Sequence, residues 1–268
     1  MMPKFDFNPK TKRYDAKNAL LLAEASQLAY KSLREVKAIV KDKWGFEECI
    51  FLDKEDTQAY IIANPEVIIL AFRGTQCIQD WLTDADVRLV KDVWGQVHNG
   101  FSKALDSVWR EIEKIVSKYQ NNDQSIWITG HSLGAALAVL ATARFLQNNK
   151  DINGLYTFGQ PRVGDAMFAR IFDLRFKHRT FRFVNNEDIV TRVPPTATKY
   201  EHIGSVFYFD SFGKLNRGIK WWRVFMDRSI SKIVRTMDRY NLLKDQFPNG
   251  IEDHDIAKYI KKIEKNLT

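Results

Sequence analysis

Residues Gly130-His131-Ser132-Leu133-Gly134 spell a G-x-S-x-G pentapeptide set between a strand-like run and a helix-like run. Upstream, Ser125-Ile126-Trp127-Ile128-Thr129 is short, β-branched and aromatic and follows the polar turn Gln120 to Gln124, so it reads as a buried strand. Downstream, Ala135 to Leu146 is rich in Ala and Leu and reads as a helix that stops near Asn148-Asn149. A chain that passes from strand to helix over so few residues must turn sharply. The serine on that turn takes up strained backbone geometry, and its hydroxyl is lifted above the sheet edge. Glycines two residues to either side are needed because strand and helix pass so closely that a β-carbon would collide. The helix N-terminus aims N–H groups and partial positive charge at the space beside the hydroxyl, a setting suited to a developing oxyanion.

A serine nucleophile needs a base to take its proton and a carboxylate to orient that base. The chain has five histidines, His98, His131, His178, His202 and His254. Strand-turn-helix hydrolases run in the order serine, acid, histidine, which removes His98 and leaves His178, His202 and His254. The acid belongs in a loop just after a strand. Phe181-Arg182-Phe183-Val184 is such a strand, and it runs into Asn185-Asn186-Glu187-Asp188, then Ile189-Val190 and the stop at Pro194-Pro195. Asp188 is the first choice for the orienting acid and Glu187 the second.

Five blocks occur in order: Phe72-Arg73-Gly74-Thr75, His98-Asn99-Gly100-Phe101, Gly130 to Leu137, Thr157-Phe158-Gly159-Gln160-Pro161-Arg162-Val163-Gly164, and Asn186-Glu187-Asp188-Ile189-Val190 with Pro194-Pro195. Together they resemble the fungal-type class 3 lipase family of the α/β-hydrolase fold, over the stretch from Val67 to His254. The resemblance implies an α/β fold with a central, mostly parallel sheet flanked by helices, and a helical segment inserted before the C-terminal catalytic histidine. It also chooses the histidine. Glu201-His202-Ile203-Gly204 resembles the family's structural histidine, and Glu252-Asp253-His254-Asp255, with Tyr259 downstream, resembles the catalytic one. The carboxylates of Asp253 and Asp255 beside His254 favour the imidazolium, so the expectation is a raised pKa and best activity on the alkaline side.

One oxyanion-hole N–H is expected from Leu133, directly after the nucleophile, and the other from a loop after an earlier strand. Val67 to Phe72 is the most strand-like run in the chain, and Arg73-Gly74-Thr75 follows it. The resemblance implies that Thr75 gives the second N–H, its hydroxyl adding a bond. Beyond Thr75, Ile78, Trp81 and Leu82 fall on one helical face. The resemblance implies a mobile lid here; a fixed helix with Trp81 packed is the alternative.

The rest of the 268 residues reads as a single domain, with no linker, repeat or low-complexity tract to divide it. Asp15 to Tyr30 reads as an amphipathic helix capped by Asp15, with Leu20, Leu21, Leu22, Ala25, Leu28 and Ala29 inward. Gln58 to Ile62 and the run before Phe72 suggest a hairpin, and Phe101 to Tyr119 a helix carrying Ala104, Val108, Ile112 and Ile115. Residues 210–250 read as a basic amphipathic helical insertion. Within it, 219–243 sets Trp222, Phe225, Ile230, Ile233, Met237 and Tyr240 against Lys220, Arg223, Arg228, Lys232, Arg235 and Arg239. Such a helix packs as an ordinary surface helix or touches an anionic membrane; ordinary packing is the first reading, and the net charge of +8 brings the second closer to it. The sequence pI near 9.3 comes without an RNP, helix-turn-helix or zinc-finger pattern, so nucleic acid is not an expected partner.

Two cysteines, Cys49 and Cys77, are too few for a disulfide framework, and no zinc spacing, P-loop or dinucleotide fingerprint occurs. No cofactor is expected, since a serine triad needs none. Met1 to Arg13 is charged and lacks the apolar centre of a signal peptide, and no run is long enough to span a bilayer, so the expected location is cytoplasmic with peripheral membrane contact. The expected function is a serine carboxylic-ester hydrolase acting on acyl glycerides or phospholipids. The alternatives are a non-catalytic lipid-binding protein that keeps the fold and an esterase of small soluble esters.

Overall fold

Capping side chains start the first two helices. The Asp15 carboxylate accepts from the Lys17 and Asn18 amides at the head of α1 (Ala16–Leu28), and Ser32 with Glu35 closes a capping box on α2 (Leu33–Asp42). The structure, a computed structural model, describes residues 6–78, 87–120, 123–217 and 249–267. A meander of β1 (Glu48–Lys54), β2 (Thr57–Ala63) and β3 (Val67–Phe72) comes next, then β4 (Leu89–Asp92), β5 (Gly95–His98) and α3 (Asn99–Tyr119). After these stand β6 (Ser125–His131), α4 (Leu133–Gln147), β7 (Gly154–Phe158), β8 (Gly164–Asp165) and α5 (Ala166–Phe176). The chain continues with β9 (Thr180–Asn185), β10 (Tyr200–Glu201), β11 (Ser205–Phe209), β12 (Leu215–Arg217) and α6 (Ile256–Lys265).

Eight strands join in the order β1-β2-β3-β6-β7-β9-β11-β12. The five strands β3, β6, β7, β9 and β11 are parallel, and β1, β2 and β12 add antiparallel edges. The sheet is therefore mostly parallel and covered on both faces, as the resemblance implied. Parallel strands with helices on both sides have no wet face, which is why every residue of β3 and β6 is buried and their sequences do not alternate. On one face α3, α4 and α5 bring Leu105, Val108, Leu137, Phe145 and Phe172 against Ile68, Leu70 and Ile128. On the other, α1 and α6 bring Leu22, Ala25, Tyr259 and Ile263 against Trp127, Tyr156 and Phe183. Burying one such large apolar side chain contributes about 1.5–3 kcal/mol.

Register places the site. Phe72 pairs with Gly130, Gly130 with Thr157, and Phe158 with Phe183. The loops that carry Thr75, Ser132, Gly159 and Asp188 thus leave the sheet along one edge, at the carboxyl ends of parallel strands, where ligands of open α/β sheets bind.

The expected helix faces hold in part. In α1, Leu22, Ala25, Leu28 and Ala29 are buried as expected, together with Asn18, Ala19, Ala23 and Ser26, while Leu20 and Leu21 are only half-buried. Small residues let this helix approach β6 closely enough for Ser26 Oγ to meet Thr129 Oγ1 at 2.9 Å. In α3 the buried positions are Phe101, Ser102, Leu105, Val108, Ile112 and Val116, so Val108 and Ile112 face inward as expected, with Ala104 and Ile115 half-buried beside them. The expected helical insertion over 210–250 is not helical at its start. Asp210 to Lys214 forms a turn held by the Asp210 side chain, and Leu215–Arg217 adds β12 to the sheet edge. The stretch 219–243 lies outside the described residues, as do Trp81 and Leu82. Among the described residues no helix is long and apolar enough to cross a membrane.

Candidate active site

The passage from β6 to α4 puts Ser132 at φ 59° and ψ −128°, a conformation that costs a non-glycine residue about 1–3 kcal/mol. The surrounding backbone holds it there. The Ser132 amide donates to the Phe158 carbonyl at 3.0 Å, and its carbonyl accepts from the Ala135 amide at 3.0 Å. A Cβ on Gly130 would stand 2.7 Å from the Ala135 nitrogen, and one on Gly134 2.8 Å from the Arg73 carbonyl carbon. A Cβ on Gly74 would meet the His131 carbonyl oxygen at 2.6 Å and Ser132 Cβ at 3.0 Å. The loop after β3 therefore lies directly across the serine turn, and this brings Thr75 beside Ser132. The Thr75 hydroxyl accepts from the Cys77 amide at 3.3 Å. Leu133 is the first residue of α4, so its N–H has no acceptor within the helix.

Asp188 and His254 come together from residues far apart in sequence. His254 Nδ1 lies 3.0 Å from each oxygen of the Asp188 carboxylate. The same carboxylate accepts from the Val190 amide at 2.9 Å and from the Tyr259 hydroxyl at 2.5 Å. Burial by itself would raise the Asp188 pKa. The facing His254 and the hydrogen bonds from His254 and Tyr259 outweigh burial and hold the carboxyl below its ordinary value. Because Nδ1 faces acceptors, it carries the proton, which leaves Nε2 with a lone pair. Gly159, at φ 59°, gives the imidazole its room: a Cβ there would lie 2.7 Å from both Nδ1 and Cε1 of His254 and 2.9 Å from Asp188 Oδ2.

Ser132 is fully buried and His254 nearly so. Ser132 Oγ and His254 Nε2 are both buried atoms without a hydrogen-bond partner among the described residues. They are the two atoms that a proton transfer would join, and no hydrogen bond links them in this structure. Tyr30, Thr75, Ile78, His131, His254 and Ile256 line a cleft of about 320 Å³ at His254.

The remaining candidates separate cleanly. The carboxylates flanking His254 are engaged elsewhere: Asp255 caps α6 through the Ala257 amide, and Asp253 accepts from Asn186 Nδ2 and the Glu187 amide. Asp188, not Glu187, meets the imidazole. His98 caps α3, accepting from the Gly100 amide. His202 Nε2 bonds the Thr191 carbonyl, and His178 is exposed on a short turn. Ile78, the start of the candidate lid, packs on Ile189 and Val190. Among the described residues no group of three or more His, Cys, Asp and Glu side chains could hold a metal ion. The sequence reading missed the roles of Gly159, Tyr30 and His131 around the site. Gly159 sits within the Thr157 to Gly164 block, so the signal was present without its meaning.

The family model described as Lipase (class 3) matches residues 69–198, which hold Thr75, Ser132 and Asp188. Over that stretch, just under half of its length, the chain is similar to the class 3 lipase family. A triacylglycerol lipase of Arabidopsis thaliana is 28% identical, over 72% of this chain and 49% of that protein. Phospholipase A1-II 4 of Oryza sativa subsp. japonica is 33% identical, over 48% of this chain and 40% of its own length. The chain thus spans about half or less of these curated relatives. The solved Rhizomucor miehei triacylglyceride lipase superposes with a TM-score of 0.63 at 26% identity, covering 74% of this chain and 81% of that one. His254 lies beyond the matched residues 69–198, so its place rests on the contact with Asp188.

Proposed function

We propose that this chain is a serine carboxylic-ester hydrolase acting on acyl glycerides or phospholipids. The observation that carries the reading is the Asp188–His254 contact, which leaves His254 Nε2 as an acceptor, and both it and the buried Ser132 hydroxyl are without a hydrogen-bond partner among the described residues. Ser132 Oγ attacks the ester carbonyl carbon while His254 Nε2 takes its proton, and Asp188 steadies the imidazolium. The amides of Leu133 and Thr75 receive the charge that develops on the carbonyl oxygen. His254 then gives its proton to the departing alcohol, and the acyl group stays on Ser132 Oγ. Water, deprotonated by the same nitrogen, releases the acid and restores the serine.

Apolar Ile78, Ile251 and Ile256 in the cleft beside His254 suit an acyl chain. The relatives named triacylglycerol lipase and phospholipase A1 support the two substrate classes. Movement of the 78–82 lid at a lipid surface, contact of 219–243 with anionic membranes and a cytoplasmic location belong to the same proposal; the first two are supported by the sequence pattern and charge. Release of fatty acid from trioleoylglycerol and from phosphatidylcholine, measured for the wild type and Ser132→Ala, tests the reading. Hydrolysis of at least one, lost about 10⁶-fold in the variant with the fold intact, is expected. Equal turnover in both proteins, or none in either, would refute it.

A further inference from the structure

Tyr30 lies just beyond α1, a helix on the far side of the sheet from α4, yet its hydroxyl ends beside the serine turn. The Tyr30 oxygen stands 2.9 Å from His131 Nδ1, and His131 Nε2 stands 2.7 Å from the carbonyl oxygen of His254. A carbonyl only accepts, so Nε2 carries the ring proton. Nδ1 is then the acceptor, and Tyr30 is the donor to it. Every direction in the chain from Tyr30 through His131 to the His254 backbone is thereby fixed. The rings of His131 and His254 also lie against each other, tilted by 31° with centroids 4.4 Å apart.

The other side of the Tyr30 hydroxyl meets the loop after β3. A Cβ on Gly74 would overlap this hydroxyl, and the Gly74 backbone amide interacts with it. The Arg73 guanidinium lies over the Tyr30 ring, 5.9 Å from its centroid. One side chain therefore touches the loop that carries Thr75 and, through His131, the backbone of the residue that carries the base. Burial, with the nearby His254 second, drives the His131 pKa down to about 3, so the ring stays neutral and keeps this tautomer.

We infer that Tyr30 is a positioning residue: through His131 it ties the backbone of His254 to the loop bearing Thr75 and sets the spacing between base and oxyanion donor. The inference rests on the hydrolase reading above. Proton transfer and oxyanion binding need both groups at one position of the reacting carbon, and a misplacement near 1 Å costs about 100-fold. Loss of the tie should slow the chemical step and leave ground-state binding alone, because Tyr30 and His131 line the cleft with rings that Tyr30→Phe keeps, and their polar atoms are engaged with each other and with the His254 backbone.

The test is steady-state kinetics on p-nitrophenyl butyrate with active sites titrated by a fluorophosphonate, together with inhibition by a trifluoromethyl ketone, whose adduct oxygen occupies the oxyanion position. Tyr30→Phe is expected to lower kcat about tenfold with KM changed less than about twofold, and to weaken the ketone by a similar factor. His131→Asn keeps an acceptor near the Nδ1 position and loses the donor to His254; His131→Gln does the reverse. Gln should therefore recover part of the kcat that Asn loses, and adding Tyr30→Phe to His131→Gln should cost little more, since the bond between them is already gone. Tyr60→Phe is the structural control. It removes a buried bond from the Tyr60 hydroxyl to the Ala25 carbonyl on the same helix and should lower stability at constant kcat.

An unchanged kcat in Tyr30→Phe would overturn the inference. So would a loss matched by Tyr60→Phe, or full additivity of Tyr30→Phe with His131→Gln. A wild type that neither hydrolyses the ester nor reacts with the fluorophosphonate would instead sink the hydrolase reading, and the inference with it.

Discussion

Ser132 and His254 are held by different kinds of structure. Around Ser132 the work is done by backbone: glycines at 74, 130 and 134 allow three chain segments to pass within a bond length or two of contact, and the serine is left with a single conformation. Around His254 the work is done by side chains from distant segments. Asp188 and His131 reach it from a loop and a strand, Tyr259 holds the Asp188 carboxylate from α6, and Gly159 only makes space. The nucleophile side is thus a local device that any strand-turn-helix of this spacing would build. The base side exists only after the whole sheet has closed. Damage to the first should show as misfolding of a turn, and damage to the second as lost rate in a protein that still folds.

That contrast can be broken in descending steps. Asp188→Asn keeps the shape but turns a donor toward His254 Nδ1 and reverses the tautomer. It should lower kcat about 10⁴-fold with native secondary structure; a loss under about tenfold would mean that Asp188 does not organise the base. Gly159→Ala puts a methyl against the imidazole at a positive φ. A fall of about 100-fold in kcat with a cost of about 1–3 kcal/mol in unfolding free energy is expected, and wild-type kinetics would show that the imidazole has freedom the structure denies. Tyr259→Phe removes one donor to a charged, buried acceptor. Denaturant titration should give a loss of about 1.5–3 kcal/mol, with a smaller rate effect of about tenfold. A stability change within error would remove Tyr259 from the base-side network.

The smallest effect is a dependence of stability on pH. His131 is lowered to about 3 from an ordinary 6.5, by burial first and by His254 second. Between those values the unfolded chain binds a proton there that the folded chain does not, so stability falls as pH falls through that window. Asp188, also depressed, adds its loss only below the ordinary carboxylate value of 3.8, as pH drops toward its folded pKa. Urea midpoints compared at pH 7 and pH 5 should therefore fall in the wild type and fall less in His131→Gln. Parallel curves for the two proteins would contradict the buried, neutral assignment.

How much of this was legible in the sequence tracks the same divide. The serine turn could be read directly because its cause is local: an apolar strand, two glycines and a helix former within a few residues. Asp188 came from a strand and the loop after it. His254 could be chosen over His202 only through the family resemblance, because the contact that selects it spans 66 positions. Tyr30 and His131 meet across 101 positions, and nothing in the run around Tyr30 marks a residue that will reach a catalytic loop. The half-buried positions of α1 and α3 have a similar origin: periodicity marks the inward side of a helix, and packing against the sheet decides which neighbouring positions are fully covered. The basic, aromatic pattern of 219–243 has no sharp upstream edge in the sequence, whereas in the fold a turn and a strand pairing with β11 occupy 210–217.

The central claim is that Ser132 is activated by His254 and Asp188 as a unit. Incubation of the folded protein with a fluorophosphonate, with mass-spectrometric mapping of the product, tests it without any choice of lipid. The account predicts one adduct, on Ser132, formed at a rate that falls steeply in His254→Ala and in Asp188→Asn. An intact protein that forms no adduct at Ser132, or one whose labelling rate is indifferent to His254 and Asp188, would contradict it.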